Sequence, residues 1–148
     1  MSSVFSLIID GSIPGNFAWA DEVCVAFATI APITPGHMLV VPRVEVDQFT
    51  AAEDHALAHL IVGAKRVGLA QQRAFDAPRA ALIIAGFEVP HTHLHVLPAW
   101  SEDALTFANA RRVPGEEVTA NAEAVRAALR DLGHGDHVPA SVSSPVLG

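Results

Sequence analysis

Apolar positions form short runs in the first third of the chain and take helical spacing after it. Residues 17–19 and 23–29 are rich in strand formers, with Asp21-Glu22 as the turn between them. A third such run covers residues 37–41 and is closed by Pro42. Gly- and Pro-rich clusters at 11–15 and 32–36 punctuate these runs as turns. Leu57, Leu60, Ile61, Ala64 and Val67 then recur at helical spacing, and the pattern carries to about Phe75, with Pro78 as its stop. Thr50 and Glu53 are spaced as a capping box for this helix. Residues 80–85 and 91–97 read as two further strands. From Thr119 a second helix places Ala122, Val125, Leu129 and Leu132 on one face, with Arg126 and Arg130 toward its C-terminal end and Gly133 as the residue that ends it. Residues 135–148 carry no periodicity and read as a tail. The expected class is α+β with a mainly antiparallel sheet, because the early connections are too short for helical crossovers.

At 148 residues the chain suits one domain with a real core, and at 51% hydrophobic and 17% charged it is unlike a disordered sequence. No apolar stretch is long enough for a membrane span, and no basic segment precedes an apolar run as in a secretory signal; a cytoplasmic location is the expectation. Net charge is −7, and Lys65 is the single lysine, which argues against nucleic acid as a partner. The single cysteine, Cys24, excludes an internal disulfide and lies in an apolar strand, as a buried hydrophobe would. Eight histidines beside nine Lys plus Arg are an excess, and they are unevenly placed.

Three of them stand in His91-Thr92-His93-Leu94-His95-Val96-Leu97-Pro98. A strand alternates faces, so His91, His93 and His95 share one face, about 6–7 Å apart, while Thr92, Leu94 and Val96 face a core. Folding has no need of three imidazoles in a row. Three readings stand side by side: a solvated face, a metal site, and nucleophilic chemistry on phosphorus. A metal is hard to reach with all three, whose outer members lie about 13 Å apart along the strand. A neutral imidazole attacks a phosphoryl group while its neighbours supply protons and hydrogen bonds.

The segment resembles the His-φ-His-φ-His-φ-φ motif (φ hydrophobic) of the histidine triad (HIT) superfamily of nucleotide hydrolases and transferases, with Thr92 only half apolar. The likeness continues upstream through Phe5-Ser6-Leu7-Ile8-Ile9, Ile13-Pro14, Asp21-Glu22, Ala26-Phe27, Ile30-Ala31-Pro32 and the block from Pro35 to Pro42. It covers residues 4 to about 107. It implies a HIT-like fold, an antiparallel sheet of about five strands with one long helix, in a HIT domain at 4–113; a C-terminal helix and tail at 114–148 lie beyond it. The resemblance makes His93 the nucleophile that forms a nucleotidyl-histidine and releases a nucleoside monophosphate from a phosphoramidate or dinucleoside polyphosphate. It makes His95 the donor to phosphate and leaving group, His91 a buttress whose neighbourhood supplies a carbonyl to His93, and His37 the fourth histidine. It places Phe27, Ile30 and Trp19 against base and sugar. A purine nucleotide substrate and a homodimer are implied, and no cofactor or metal is required; a nucleotide-binding protein with little turnover is the alternative.

The chain departs from the family pattern at several points. Thr29 stands where a carboxylate commonly grips the ribose, and a hydroxyl cannot make that bidentate bond. Phe87 stands where Gln is usual. Glu88 brings a carboxylate beside the phosphate site, where it would repel a charged phosphate unless turned away. Ser3, Ser6 and Glu45 occupy the places of ligands to a structural zinc that many bacterial relatives hold; serine is a poor zinc ligand, so no structural zinc is expected. His55 and His59 are expected on a solvated helix face, His134 and His137 in a flexible loop, and Arg111-Arg112 exposed just past the stretch of resemblance, either able to steer an anionic ligand or without a specific role.

Overall fold

The computed structural model describes residues 2–148. Helix α1 (Val4–Ile9) precedes strands β1 (Phe17–Ala20), β2 (Cys24–Ala28) and β3 (Met38–Pro42). Helix α2 (Asp54–Phe75) leads to β4 (Arg79–Ile84) and β5 (Leu94–Ala99), and helix α3 (Gly115–Asp131) follows. The five strands form one antiparallel sheet in the order β1-β2-β3-β5-β4.

Alternation along the strands sorts side chains into two layers. Cys24, Ala26, Met38, Val40, Leu94 and Val96 face α2 and α3, and pack with Leu60, Val67, Ala122, Val125 and Leu129 in the main core. Val25, Phe27, Leu39 and Val41 face the other way and pack with Phe5 of α1 and Phe17. The triad histidines belong to this second side. One position breaks the alternation. The β1–β2 register shifts between Phe17 and Trp19, so Ala18 and Trp19 both turn to the helix side while Phe17 and Ala20 stay opposite.

Gly36 closes the turn into β3 with φ +89°, and a Cβ there would run into the Phe75 ring, so this position requires glycine for both backbone and contact reasons. The buried Gln71 amide ties α2 to the same turn, donating to the Gly36 and Val96 carbonyls at 2.9 and 2.7 Å.

Several local expectations are corrected. The segment holding Phe5 to Ile9 is a short helix, N-capped by the Ser3 hydroxyl, which accepts from Ser6 N at 3.1 Å. Thr50 and Glu53 form no capping box: Thr50 sits in a 3₁₀ turn, and Glu53 is the N-cap of α2 without a side-chain bond. Helix α2 ends at Phe75 as expected, but its stop is the left-handed Asp76 rather than Pro78. Helix α3 starts at Gly115, four residues before the expected Thr119. Residues 135–148 are held down. Val138 is buried, Phe17 N donates to Val142 O at 2.7 Å, and the buried Arg126 donates to Phe17 O and Pro139 O, both at 3.0 Å. Arg126 thus ties the C-terminal segment to β1 instead of facing solvent at a helix end.

No helix among the described residues is long and apolar enough to cross a membrane.

Candidate active site

Strand β5 pairs with β3 only from Leu94 onward, so His91, at a bend, and His93 lie in the segment before it, not in the expected strand. Thr92 explains why: its N–H and its hydroxyl both donate to Val46 O, at 2.6 and 2.9 Å, drawing residues 91–93 off the ladder. The alternation survives, and the imidazoles still share one side.

Hydrogen bonds fix each ring. A carbonyl can only accept, so the ring atom facing one carries the hydrogen. His91 Nε2–H donates to Pro42 O at 2.8 Å, which leaves its Nδ1 to accept from the Ser3 hydroxyl at 2.6 Å. His93 Nδ1–H donates to His91 O at 2.7 Å, so its Nε2 is a bare lone pair. Ile33 N–H donates to His37 Nδ1 at 3.0 Å. His37 Nε2 therefore holds the hydrogen it shares with His95 Nδ1 at 3.0 Å, and His95 presents Nε2–H. One backbone amide thus sets two rings in sequence. The site holds a bare nitrogen on His93 and an N–H on His95, with ring centroids 4.9 Å apart.

Burial disfavours imidazolium. Burial first, and His95 second, lower His37 to about 3. Burial first, and His93 second, lower His95 to about 4. His93 is lowered by burial, against the opposing pull of the His91 carbonyl and Glu88. At neutral pH all three are neutral, as a nucleophile and a hydrogen-bond donor require.

The rings open on a cleft of about 660 Å³. His37, His93 and His95 reach it, with Phe27 of β2 and Thr29 and Ile30 just after β2 on one wall and Glu88 on the loop after β4. Thr29 Oγ1 accepts from Ala31 N at 3.2 Å. His91, fully buried, lies behind the site. Phe87 is 98% exposed at the rim.

Trp19 is not brought there, which corrects its expected place against base and sugar. The bulge in β1 turns it to the helix side, where it is 1% exposed and donates to Asp21 at 2.8 Å. His137 stacks on it at 4.5 Å between centroids and His134 meets its ring edge-on, so neither belongs to a free loop. His59 is likewise tied down, its Nε2 2.8 Å from Asp21 Oδ2.

Phe5, Phe107 and Asn16 of the cleft carried no sequence signal as ligands. Phe5 of α1 meets the His93 ring edge-on at 4.7 Å. Phe107 meets His95 edge-on at 4.9 Å from a segment that returns over the site, where Arg111 N and Val113 N donate to Pro32 O and Ile30 O. Asn16 lines the opposite wall, its Oδ1 held by the Thr119 hydroxyl at 2.8 Å. Arg112 also lines the cleft, whereas Arg111 spends its guanidinium on Ala108 O and Ala110 O.

Behind the triad, Ser3, Ser6, Glu45 and His91 do come together. Glu45 Oε1 accepts from Ser3 N at 2.7 Å and from Ser6 Oγ at 2.9 Å. Hydrogen bonds join α1 to the triad here, and the two hydroxyls are a donor set that does not suit zinc.

Residues 10–102 match the HIT domain family. The chain belongs to the histidine triad (HIT) family. An uncharacterised HIT-like protein of Methanocaldococcus jannaschii is 33% identical over 121 residues, 78% of this chain and 94% of that one. The crystal structure of a zinc-bound histidine triad family protein from Mycobacterium smegmatis is similar at TM-score 0.79 and 29% identity, covering 91% of this chain and 98% of that one. A hypothetical histidine triad nucleotide-binding protein from Sulfolobus tokodaii superposes at TM-score 0.76 with 25% identity, over 87% and 93% of the two chains. HIT membership supports a function of nucleotide-binding or hydrolase type.

Proposed function

We propose that this HIT protein cleaves nucleotide conjugates at the α-phosphate through a nucleotidyl-His93 intermediate and releases a nucleoside monophosphate. The bare Nε2 of His93, held by Nδ1–H on the His91 carbonyl, carries the reading. It forms a bond to phosphorus as the bond to the leaving atom breaks. The leaving atom takes up a proton through His95 Nε2–H. Water then attacks phosphorus, breaks the bond to His93, and returns a proton to the same nitrogen. His37 keeps His95 in the donating tautomer, and His91 holds His93. A purine nucleoside lies along Phe27 and Ile30, with Thr29 toward the ribose, and the reaction takes place in the cytoplasm. The substrate is a phosphoramidate or a dinucleoside polyphosphate.

A homodimer through β4 and α2 fits the same reading. β4 is an edge strand, and Leu82, Ile61 and Leu69 leave apolar surface exposed beside it.

The test follows AMP release from adenosine 5′-phosphoramidate and from a diadenosine polyphosphate, with chelator-treated wild type and His93→Ala. Release that survives chelation and is lost in the variant supports the proposal. Tight AMP binding without turnover favours a binding protein, for which Phe87 and Thr29 are the motivating departures. Turnover that needs added metal contradicts the mechanism.

A further inference from the structure

A second cluster lies on the helix side of the sheet, away from the triad. Asp21 and Cys24 flank the β1–β2 turn, and His59 reaches it from the first turns of α2. Asp21 Oδ2, Cys24 Sγ and His59 Nε2 all lie within 4.8 Å of one another. We propose that these three side chains form a binding site for one zinc-class divalent ion.

The donor set is the first argument. A carboxylate, a thiolate and an imidazole are the three ligand types that such an ion takes, and the two anions neutralise its charge in a half-buried place. Spacing is the second. Metal bonds of about 2.0 Å to N and O and about 2.3 Å to S put tetrahedral ligands roughly 3.3–3.6 Å apart. Cys24 Sγ is already 3.6 Å from Asp21 Oδ2, and His59 Nε2, at 2.8 Å, has to back away by about half an ångström. Its side chain is 37% exposed, which allows that shift and leaves a way in for the ion.

Support around the ligands is the third. Asp21 Oδ1 accepts from the N–H groups of Val23 and Cys24, both at 2.8 Å, and Trp19 Nε1 donates to Oδ2 at 2.8 Å. Arg43 Nε donates to the Asp21 carbonyl at 2.8 Å. Such outer bonds aim a carboxylate at its ion. Gly63, one turn beyond His59, leaves space beside the sulfur: a Cβ there would come to 3.7 Å from Sγ.

Burial foremost, then the Asp21 carboxylate, push the Cys24 thiol up, so the empty site holds S–H. When the ion binds, the S–H proton passes to solvent and sulfur bonds as thiolate. His59 Nε2 becomes a bare ligand while Nδ1 carries hydrogen. Water fills the fourth position.

Cobalt provides the test, because Cys24 is the sole cysteine of the chain and a thiolate-to-cobalt charge-transfer band can come only from it. Full-length, chelator-treated protein is titrated with Co²⁺ and then with Zn²⁺. The expected result is a near-ultraviolet band that saturates at one equivalent and is displaced by Zn²⁺. The band is lost in Cys24→Ser, needs at least tenfold more Co²⁺ in His59→Gln, and is unchanged in His93→Ala. Far-ultraviolet circular dichroism confirms that each variant is folded. Wild type that stays without the band in tenfold excess Co²⁺ overturns the proposal and leaves a hydrogen-bonded Asp–His pair. A band of undiminished affinity in His59→Gln overturns it equally.

Discussion

Acid should loosen this fold through the nearly buried ring of His37. His37 is 2% exposed, and its pKa falls from 6.5 to about 3 on folding. Between those values the unfolded chain binds the proton and the folded chain refuses it. Stability therefore falls as pH drops below about 6.5 and stops falling near 3. At pH 4.5 the unfolded ring is protonated to about 99%, which favours unfolding by about 2.5 kcal/mol relative to pH 7. A folded pKa one unit higher would change that figure little, since pH 4.5 would still lie above it. His95 and His93 act in the same direction, and the folded pKa of His95, about 4, also lies below pH 4.5, so the comparison with a His37 variant is what isolates the His37 share. His37→Asn offers a neutral acceptor and donor in the same place without titrating. Urea unfolding of both proteins at pH 7 and 4.5 is the assay. Wild type should lose about 2.5 kcal/mol more than the variant, roughly 1–2 M in midpoint for a domain of this size. Equal losses in the two proteins would refute the claim that His37 is buried neutral.

Arg126→Met strands the Phe17 and Pro139 carbonyls, should cost about 2–4 kcal/mol in chemical denaturation, and should open residues 135–148 to limited proteolysis. Gly36→Ala combines a positive φ with the Phe75 contact and should cost about 1–3 kcal/mol, a fall of several degrees in Tm by scanning calorimetry. Glu88→Gln removes the one carboxylate that raises His93, and should lower KM for a dinucleoside polyphosphate by about two- to fivefold with kcat little changed.

What the sequence made legible and what it hid follow from range. The strands at β2 and β3, the body of α2 and the buried face of α3 were written in local periodicity, which is what a one-dimensional pattern can carry. The triad was legible because three histidines on alternate positions have no packing purpose. Trp19 was expected against base and sugar from the family resemblance alone, and the bulge between Phe17 and Trp19, which the residue types do not announce, turns it to the helix side. Thr50 and Glu53 had the right spacing for a cap, but the chain before α2 winds into a 3₁₀ turn. His59 with Asp21, Ser3 with His91, and Arg126 with Phe17 are contacts across 38, 88 and 109 residues, beyond the reach of any local signal. The return of Phe107 to His95 is of the same kind. The tautomers of His37 and His95 were also out of reach, because they depend on the backbone N–H of Ile33, which no residue type encodes.

The central claim is that His93 Nε2 becomes bonded to phosphorus. Rapid quenching into base during turnover of adenosine 5′-phosphoramidate, followed by peptide mass spectrometry, tests it directly. The account predicts one adenylyl group on the peptide holding residues 91–95, located at His93, formed and consumed at rates that match AMP release, and absent from His93→Ala. An adduct on His91 or His95, or AMP release that continues in His93→Ala, would contradict it.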